Sequence, residues 1–293
     1  MTATATTTTE IQLPQGRIAV RDTGSGEPIV FVHGLLVDGS LWRKVTPLLD
    51  AEFRCVAPDW PLGSHQTPMA ADADLSPRGV AHMIADTLEA LGLEDVTLVG
   101  NDTGGAISQL VAVERPERIG RLVLTNCDAF ENFLPPLFRP YQWLARVPPL
   151  LTAAVQPVRV RGLRRLPMAF GLVTKRPVPH EVTDAWLRPF FSQRGVRRDT
   201  AKLLRGIDKR DTLEAAAKLA SFDRPALVAW GNEDKAFPLD HGRRLAAILP
   251  QGRLEEVPDS RTFVSEDQPE RLARLIGELI RSAPIGRTAA SAS

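Results

Sequence analysis

The sequence predicts an α/β fold: a mostly parallel, doubly wound sheet with a helical insertion. Three observations predict it. Short, near-continuous apolar runs recur along the 293 residues, as expected of strands buried on both faces of a parallel sheet. Longer stretches of helical periodicity separate those runs, which is the strand–helix–strand rhythm of a doubly wound sheet. Residues 130–215 break the rhythm: they are Pro-rich at their start (LPPLFRP, RVPPLL) and contain no strand-like run.

Taken in order, the expected strands are PIVFVHG (28–34), FRCVAPD (53–59), DVTLVGND (95–102), RLVLTNC (121–127), PALVAWGNED (225–234) and the weaker RLEEVPD (253–259). Ser76 is placed to cap a helix with Pro77 at its first position. Val80, Met83, Ile84, Leu88 and Leu91 then recur on one helical face, and Gly92 follows near the end. A second helix opens at Gly104 (GGAISQLVAVERPERI), and others are expected at 239–249 and 266–281. The Thr/Ala-rich residues 1–10 and the small, polar 283–293 read as frayed tails. The expected division is therefore a core of 11–129 and 216–282 with a helical cap of 130–215. The cap carries sixteen basic and seven acidic residues, so it is about +9 in a chain whose net charge is only +1. A solvated basic face is one reading of the cap, and a funnel for anionic substrates is the other.

Composition narrows the function. With 43% hydrophobic and 24% charged residues the chain is of ordinary globular type, not disordered or collagen-like. A net charge of +1 provides no strong field toward nucleic acid or a membrane surface, so neither is expected as a partner. No segment approaches the roughly 18 apolar residues needed to span a bilayer. The first ten residues lack the basic and apolar regions of a secretory signal, so a cytoplasmic protein acting on a small molecule is expected, its oligomeric state left open. Two cysteines, Cys55 and Cys127, lie in apolar runs and read as buried thiols. No metal-ligand spacing and no phosphate or dinucleotide loop is present, so no cofactor is expected. Five His and one Tyr leave few candidates for acid–base chemistry.

The chemistry concentrates in Gly100-Asn101-Asp102-Thr103-Gly104-Gly105, directly after the strand VTLV and opening a helix. This is the G-x-nucleophile-x-G form of a nucleophile elbow. Glycines leave room for a sharp strand-to-helix turn whose central side chain projects from the sheet. The helix N-terminus that follows favours negative charge developing there. The central residue here is Asp102.

On these residues the chain resembles the α/β-hydrolase fold superfamily over roughly 12–281. His33-Gly34 after IVFV is similar to the HG motif, which implies the N–H of Leu35 as an oxyanion-hole donor and His33 as structural. Asp59-Trp60-Pro61-Leu62-Gly63-Ser64 stands at the D-x-x-G-x-G-type loop. Gly231-Asn232-Glu233-Asp234 matches G-x-x-D, which implies Asp234 as the triad acid. Asp128 stands where some Asp-nucleophile members carry their acid, and the insertion stands where the family has its cap. An Asp nucleophile suits displacement at a saturated carbon, giving an alkyl ester, rather than acyl transfer. The resemblance is therefore to the Asp-nucleophile haloalkane dehalogenases and epoxide hydrolases.

The sequence also departs from that pattern. The segment that usually carries the catalytic His reads Ser260 to Pro269 without a gap, and Thr262 occupies the His position. Threonine is no general base near neutral pH, a role commonly worth about 100- to 10,000-fold. Thr103 replaces the Trp that follows the elbow in haloalkane dehalogenases, and Tyr141 is a single tyrosine where epoxide hydrolases use a pair. His65, in the loop after Asp59, is the candidate for a relocated base or substrate contact. His82 is expected as a partly buried helix residue, with His180 and His241 at the surface. Asn101, Trp42, Trp60, Trp143 and Phe130 are candidates to line an apolar pocket.

Three functions remain open. The first is an enzyme using Asp102 as nucleophile on a carbon–halogen or epoxide carbon, with an atypical or missing base. The second is a non-hydrolytic, lyase- or cyclase-type enzyme using Asp102 as general base. The third is a catalytically impaired ligand-binding protein.

Overall fold

The computed structural model describes residues 7–166 and 169–284. Eight strands form one sheet: β1 (Thr7–Leu13), β2 (Gly16–Thr23), β3 (Pro28–Val32), β4 (Arg54–Pro58), β5 (Val96–Asp102), β6 (Ile119–Cys127), β7 (Ala226–Gly231) and β8 (Gly252–Val257). Their order is β1-β2-β4-β3-β5-β6-β7-β8. β1 and β2 pair antiparallel, β2 joins β4 antiparallel, and every later pair is parallel.

The six expected strands are β3 to β8. The hairpin of β1 and β2 was not anticipated, and residues 7–10, expected in the frayed tail, belong to it. Their register runs from Thr7 opposite Asp22 to Leu13 opposite Gly16. Threonine suits a half-exposed pleated edge, so a Thr-rich stretch beside a pairing partner forms strand rather than tail. Residues 1–6 and 285–293 of the expected tails lie outside the described residues.

The continuous runs are explained by alternation between two buried faces. Val30, Val32, Leu98, Leu122, Leu124, Val228 and Trp230 point into one apolar cluster. Phe31, Val99, Val123, Leu227 and Ala229 point into the other. The first cluster is closed by α1 (Pro77–Ala90) and α2 (Thr103–Glu114). Ser76 caps α1 through a 3.1 Å bond from the Gly79 N–H, with Pro77 at the first position, as expected.

Between β6 and β7, the stretch expected as a cap over 130–215, the chain holds α3 (Arg139–Leu144), α4 (Pro148–Val155), α5 (Phe170–Val173), α6 (His180–Ser192), α7 (Arg194–Gly206) and α8 (Lys209–Lys218), with no strand among the described residues. The last of these crosses the expected boundary at 215/216. Its Ala215 is buried in the first core cluster, so α8 returns the chain to the sheet. Phe133, Leu134, Leu151, Val155, Phe190 and Leu204 make a third cluster inside the cap. The chain ends with α9 (Leu239–Ile248), α10 (Val264–Asp267) and α11 (Pro269–Ser282), the last on the second face of the sheet. Among the described residues no helix is long and apolar enough to cross a membrane.

β3 lies between β4 and β5, so consecutive connections leave in opposite directions there. A crevice therefore opens beyond the strand ends, the usual place for a ligand in such a sheet. Val32 pairs with Gly100, which sets the turn 33–36 beside the turn 101–103.

Candidate active site

The elbow is built as expected. Asp102 sits between β5 and α2 with φ 55° and ψ −132°, a conformation non-glycine residues rarely adopt and one that tertiary structure must enforce. Two glycines permit it by absence. A Cβ on Gly34 would lie 2.1 Å from Asp102 Oδ2, and one on Gly104 would lie 2.2 Å from the His33 carbonyl.

Only backbone supports the Asp102 carboxylate. The Leu35 N–H donates to Oδ2 at 3.3 Å, and the Thr103 N–H also favours the charged form. Burial outweighs both and pushes its pKa up to about 7, with the charge of Asp234 adding to the rise. This desolvation coexists with partial exposure of the side chain, because the carboxylate faces a cavity rather than bulk water.

Asp234, after β7, accepts from the N–H groups of Ala236 (2.7 Å) and Phe237 (3.1 Å). The Thr262 hydroxyl donates to its Oδ2 at 2.9 Å, so Thr262 makes the bond to the acid that an imidazole makes in a triad. Burial raises Asp234 to about 6. Asn101 turns away from the cavity and fastens the Thr262 segment to the sheet. Its amide donates to the Thr262 carbonyl (2.7 Å), Thr125 Oγ1 (2.9 Å) and the Asn126 carbonyl (3.2 Å).

Asp128 is fully buried, and neither carboxylate oxygen has a hydrogen-bond partner among the described residues. Burial and the neighbouring Asp102 charge raise its pKa well above the ordinary range, which the nearby Thr103 hydroxyl relieves only in part.

His33 is locked in the turn it was expected to build. The Trp60 N–H donates to Nε2 at 2.9 Å, and Nδ1 lies 2.9 Å from the Gly34 carbonyl, which selects the neutral Nδ1–H form. Burial lowers its pKa to about 4.

His65 is not brought to Asp102. The loop turns at Gly63, packed against Leu36 and Thr200, and carries His65 to the cap. There its Nε2 lies 3.2 Å from Asp199, which also accepts from the Met69 N–H and Arg198 Nε, both at 2.8 Å. Two other histidines differ from expectation. His82 is exposed, 3.2 Å from Glu114. His241 is buried against Phe130, 3.6 Å from Glu131.

A cavity of about 130 Å³ opens over Asp102. Leu35 and Thr103 line it from the core and Tyr141 from the cap, with Phe138, Phe170, Phe190, Phe237 and Phe263 around them. None of its lining residues among those described is basic or His. The basic cap therefore makes no anion-binding wall, and a funnel acting inside the site is not what the cavity offers. Trp42 and Trp60 are core residues, Trp143 is 69% exposed, and neither these nor Phe130 and Asn101 line the cavity. The aromatic and aliphatic cap lining went unread, although spacing held a signal. Leu151 and Val155, Leu187 and Phe190, and Thr200 and Leu204 recur three or four apart on their helices, and in the last two cases the other face of the helix carries charged residues.

Comparison with known proteins agrees with this architecture. The alpha/beta hydrolase fold family matches residues 27–269. Haloalkane dehalogenase 2 of Mycobacterium tuberculosis is 31% identical over 279 residues, covering 90% of this chain and 91% of the relative. A 2-hydroxy-6-oxononadienedioate/2-hydroxy-6-oxononatrienedioate hydrolase from Dechloromonas aromatica is 29% identical over 240 residues, covering 80% of each. The crystal structure of haloalkane dehalogenase DbeA from Bradyrhizobium elkani superposes with a TM-score of 0.77, covering 95% of this chain and 100% of that one. At 20% identity, it speaks to fold alone. This chain therefore belongs to the alpha/beta hydrolase fold family and is similar within it to haloalkane dehalogenases.

Proposed function

We propose that the chain is a hydrolase that uses Asp102 as nucleophile on a saturated carbon of a small, largely apolar substrate. A carbon–halogen bond is the favoured target and an epoxide the other. The observation that carries this reading is the Asp102 carboxylate, held at φ 55° with the Leu35 N–H on one oxygen, facing an apolar cavity of about 130 Å³. An Asp102 oxygen bonds to the carbon as the halide leaves with the electron pair of the broken bond. The product is an alkyl ester whose carbonyl oxygen stays near the N–H groups of Leu35 and Thr103.

Hydrolysis of that ester needs a group to take a proton from water. In place of the usual His, Thr262 spends its hydroxyl proton on Asp234 and has no basicity to offer. The ester is consequently long-lived. Intact mass spectrometry after incubation with short bromoalkanes and epoxides tests this. The expected result is a persistent alkyl adduct on Asp102, absent in Asp102→Asn, whose formation rises as pH passes through about 7, where the carboxyl ionises. Thr262→His is expected to shorten the adduct's life by about 100-fold or more. Absence of any adduct, with Asp102→Asn changing no turnover, would sink the proposal.

The high pKa of Asp102 favours one other reading, a general base poised near neutrality in a non-hydrolytic enzyme. That enzyme would turn over without an adduct and lose activity in Asp102→Asn. A ligand-binding protein would show neither adduct nor turnover.

A further inference from the structure

The charge around the cavity is one-sided. Asp102, Asp128 and Asp234 are desolvated together, and among the described residues none of the three is paired with a Lys, Arg or His side chain. Of the three only Asp102 lines the cavity, and it is the one charged residue among the described lining. An ionised carboxylate facing an apolar space is ordinarily paired, so a cation is the component that would complete the site. The described residues contain no group of three side chains that could hold a metal ion, which points to an organic cation instead.

The walls specify what kind. Phe138, Tyr141, Phe170, Phe190, Phe237 and Phe263 surround the space over Asp102. Aromatic faces attract an ammonium group and bury the hydrocarbon attached to it. A volume of about 130 Å³ is close to that of cavities that take a benzene-sized ligand. The basic cap does not oppose this. Its cations do not line the cavity, several are paired at the surface, and exposed charge is screened beyond about 10 Å.

We propose that this cavity binds apolar monoamines of roughly five to seven heavy atoms in their ammonium form, the nitrogen resting on the Asp102 carboxylate and the hydrocarbon against the aromatic walls. The inference rests on the proposed function only in taking the cavity over Asp102 as the substrate site. It names an amine-bearing substrate class without depending on Asp102 being a nucleophile.

Calorimetric titration of the full chain at pH 8 with n-pentylamine, 1-pentanol and pentanoate tests it. The amine is expected to bind at least about tenfold more tightly than the alcohol, a difference of about 1.4 kcal/mol, with no binding of the carboxylate. In Asp102→Asn the amine is expected to fall to the alcohol's affinity while the alcohol is unchanged, which also reports that the cavity is intact. Should that variant fail to fold, the same titration of the unaltered chain at pH 5, below the Asp102 pKa of about 7, is expected to remove the amine preference in the same way. Equal binding of amine and alcohol at pH 8, or a preference that survives both changes, overturns the inference. Amine preference without an alkyl adduct leaves it standing while the nucleophile reading falls, and an adduct without amine preference does the reverse.

Discussion

At Asp102 the protein holds a carboxyl in surroundings that support its charge poorly. Its folded pKa of about 7 lies above the ordinary 3.8. Between those values the folded state keeps a proton that the unfolded chain has lost, so this group's contribution to stability falls as pH rises across that window. Asp102→Asn removes the titration. It is expected to stabilise the fold at pH 8 by on the order of 1–3 kcal/mol and to have little effect near pH 4. Urea denaturation at the two pH values checks this, and an equal effect at both would contradict it. His33 acts in the opposite sense. Its folded pKa of about 4 lies below the ordinary 6.5, so burying it as the neutral form favours folding less as pH drops through that interval. A substrate cation would compensate the Asp102 charge, which links the strain at this residue to the proposed ligand.

Among the elements, the strand–turn–helix of β5, Asp102 and α2 was legible from six residues. Its glycines, apolar strand and following helix serve one local geometry, which leaves little else for that pattern to be. The β1–β2 hairpin was not legible. The residues of β1 are largely polar and exposed, and their strand character comes from the partner across the ladder. The end of α11 shows a further device invisible to periodicity. Arg121, fully buried in β6, pairs with Glu27 at 2.8 Å and donates from Nε and Nη2 to the Ala283 carbonyl at 2.9 and 2.6 Å. It thus satisfies a carbonyl just past the C-terminus of α11, where a cation also suits the helix dipole. Arg121→Met is expected to cost about 3 kcal/mol, measured by thermal or urea unfolding, because it removes a buried guanidinium's pair with Glu27 and leaves the half-buried Ala283 carbonyl without its donor. A change under about 0.5 kcal/mol would show that the clamp is not structural.

Over the whole molecule, the cap is joined to the core beside Thr262 by a buried carboxylate, by the Phe263 N–H donating to the Val173 carbonyl at 2.8 Å and by Arg261 Nη1 donating to the Gly171 carbonyl at 2.6 Å. Asp267 accepts from the N–H groups of Lys175 and Arg261 (both 3.0 Å) and Arg176 (2.9 Å), drawing the cap segment after α5 onto the Thr262 loop. Lys175 and Arg176 add exposed pairs to Asp259, which contribute little and are screened by salt. Asp267→Ala is expected to raise amide hydrogen exchange about tenfold or more in residues 174–176 and 261–263 while leaving β5 and β6 unchanged. Unaltered exchange there would mean that the cap is held elsewhere.

The sequence by itself determined the parallel sheet and the turn at Asp102, which are written in apolar runs and glycines whose geometry follows from a few consecutive residues. Resemblance to a known family, rather than local geometry, is what singled out Asp234 and Thr262. Tertiary structure alone decided where His65 goes, how Asp128 is isolated, which cap residues wall the cavity and that, among the described residues, no cationic side chain pairs with the three acids. Those outcomes depend on which distant segments meet, and burial sets the charge of a carboxyl only after the chain has closed around it.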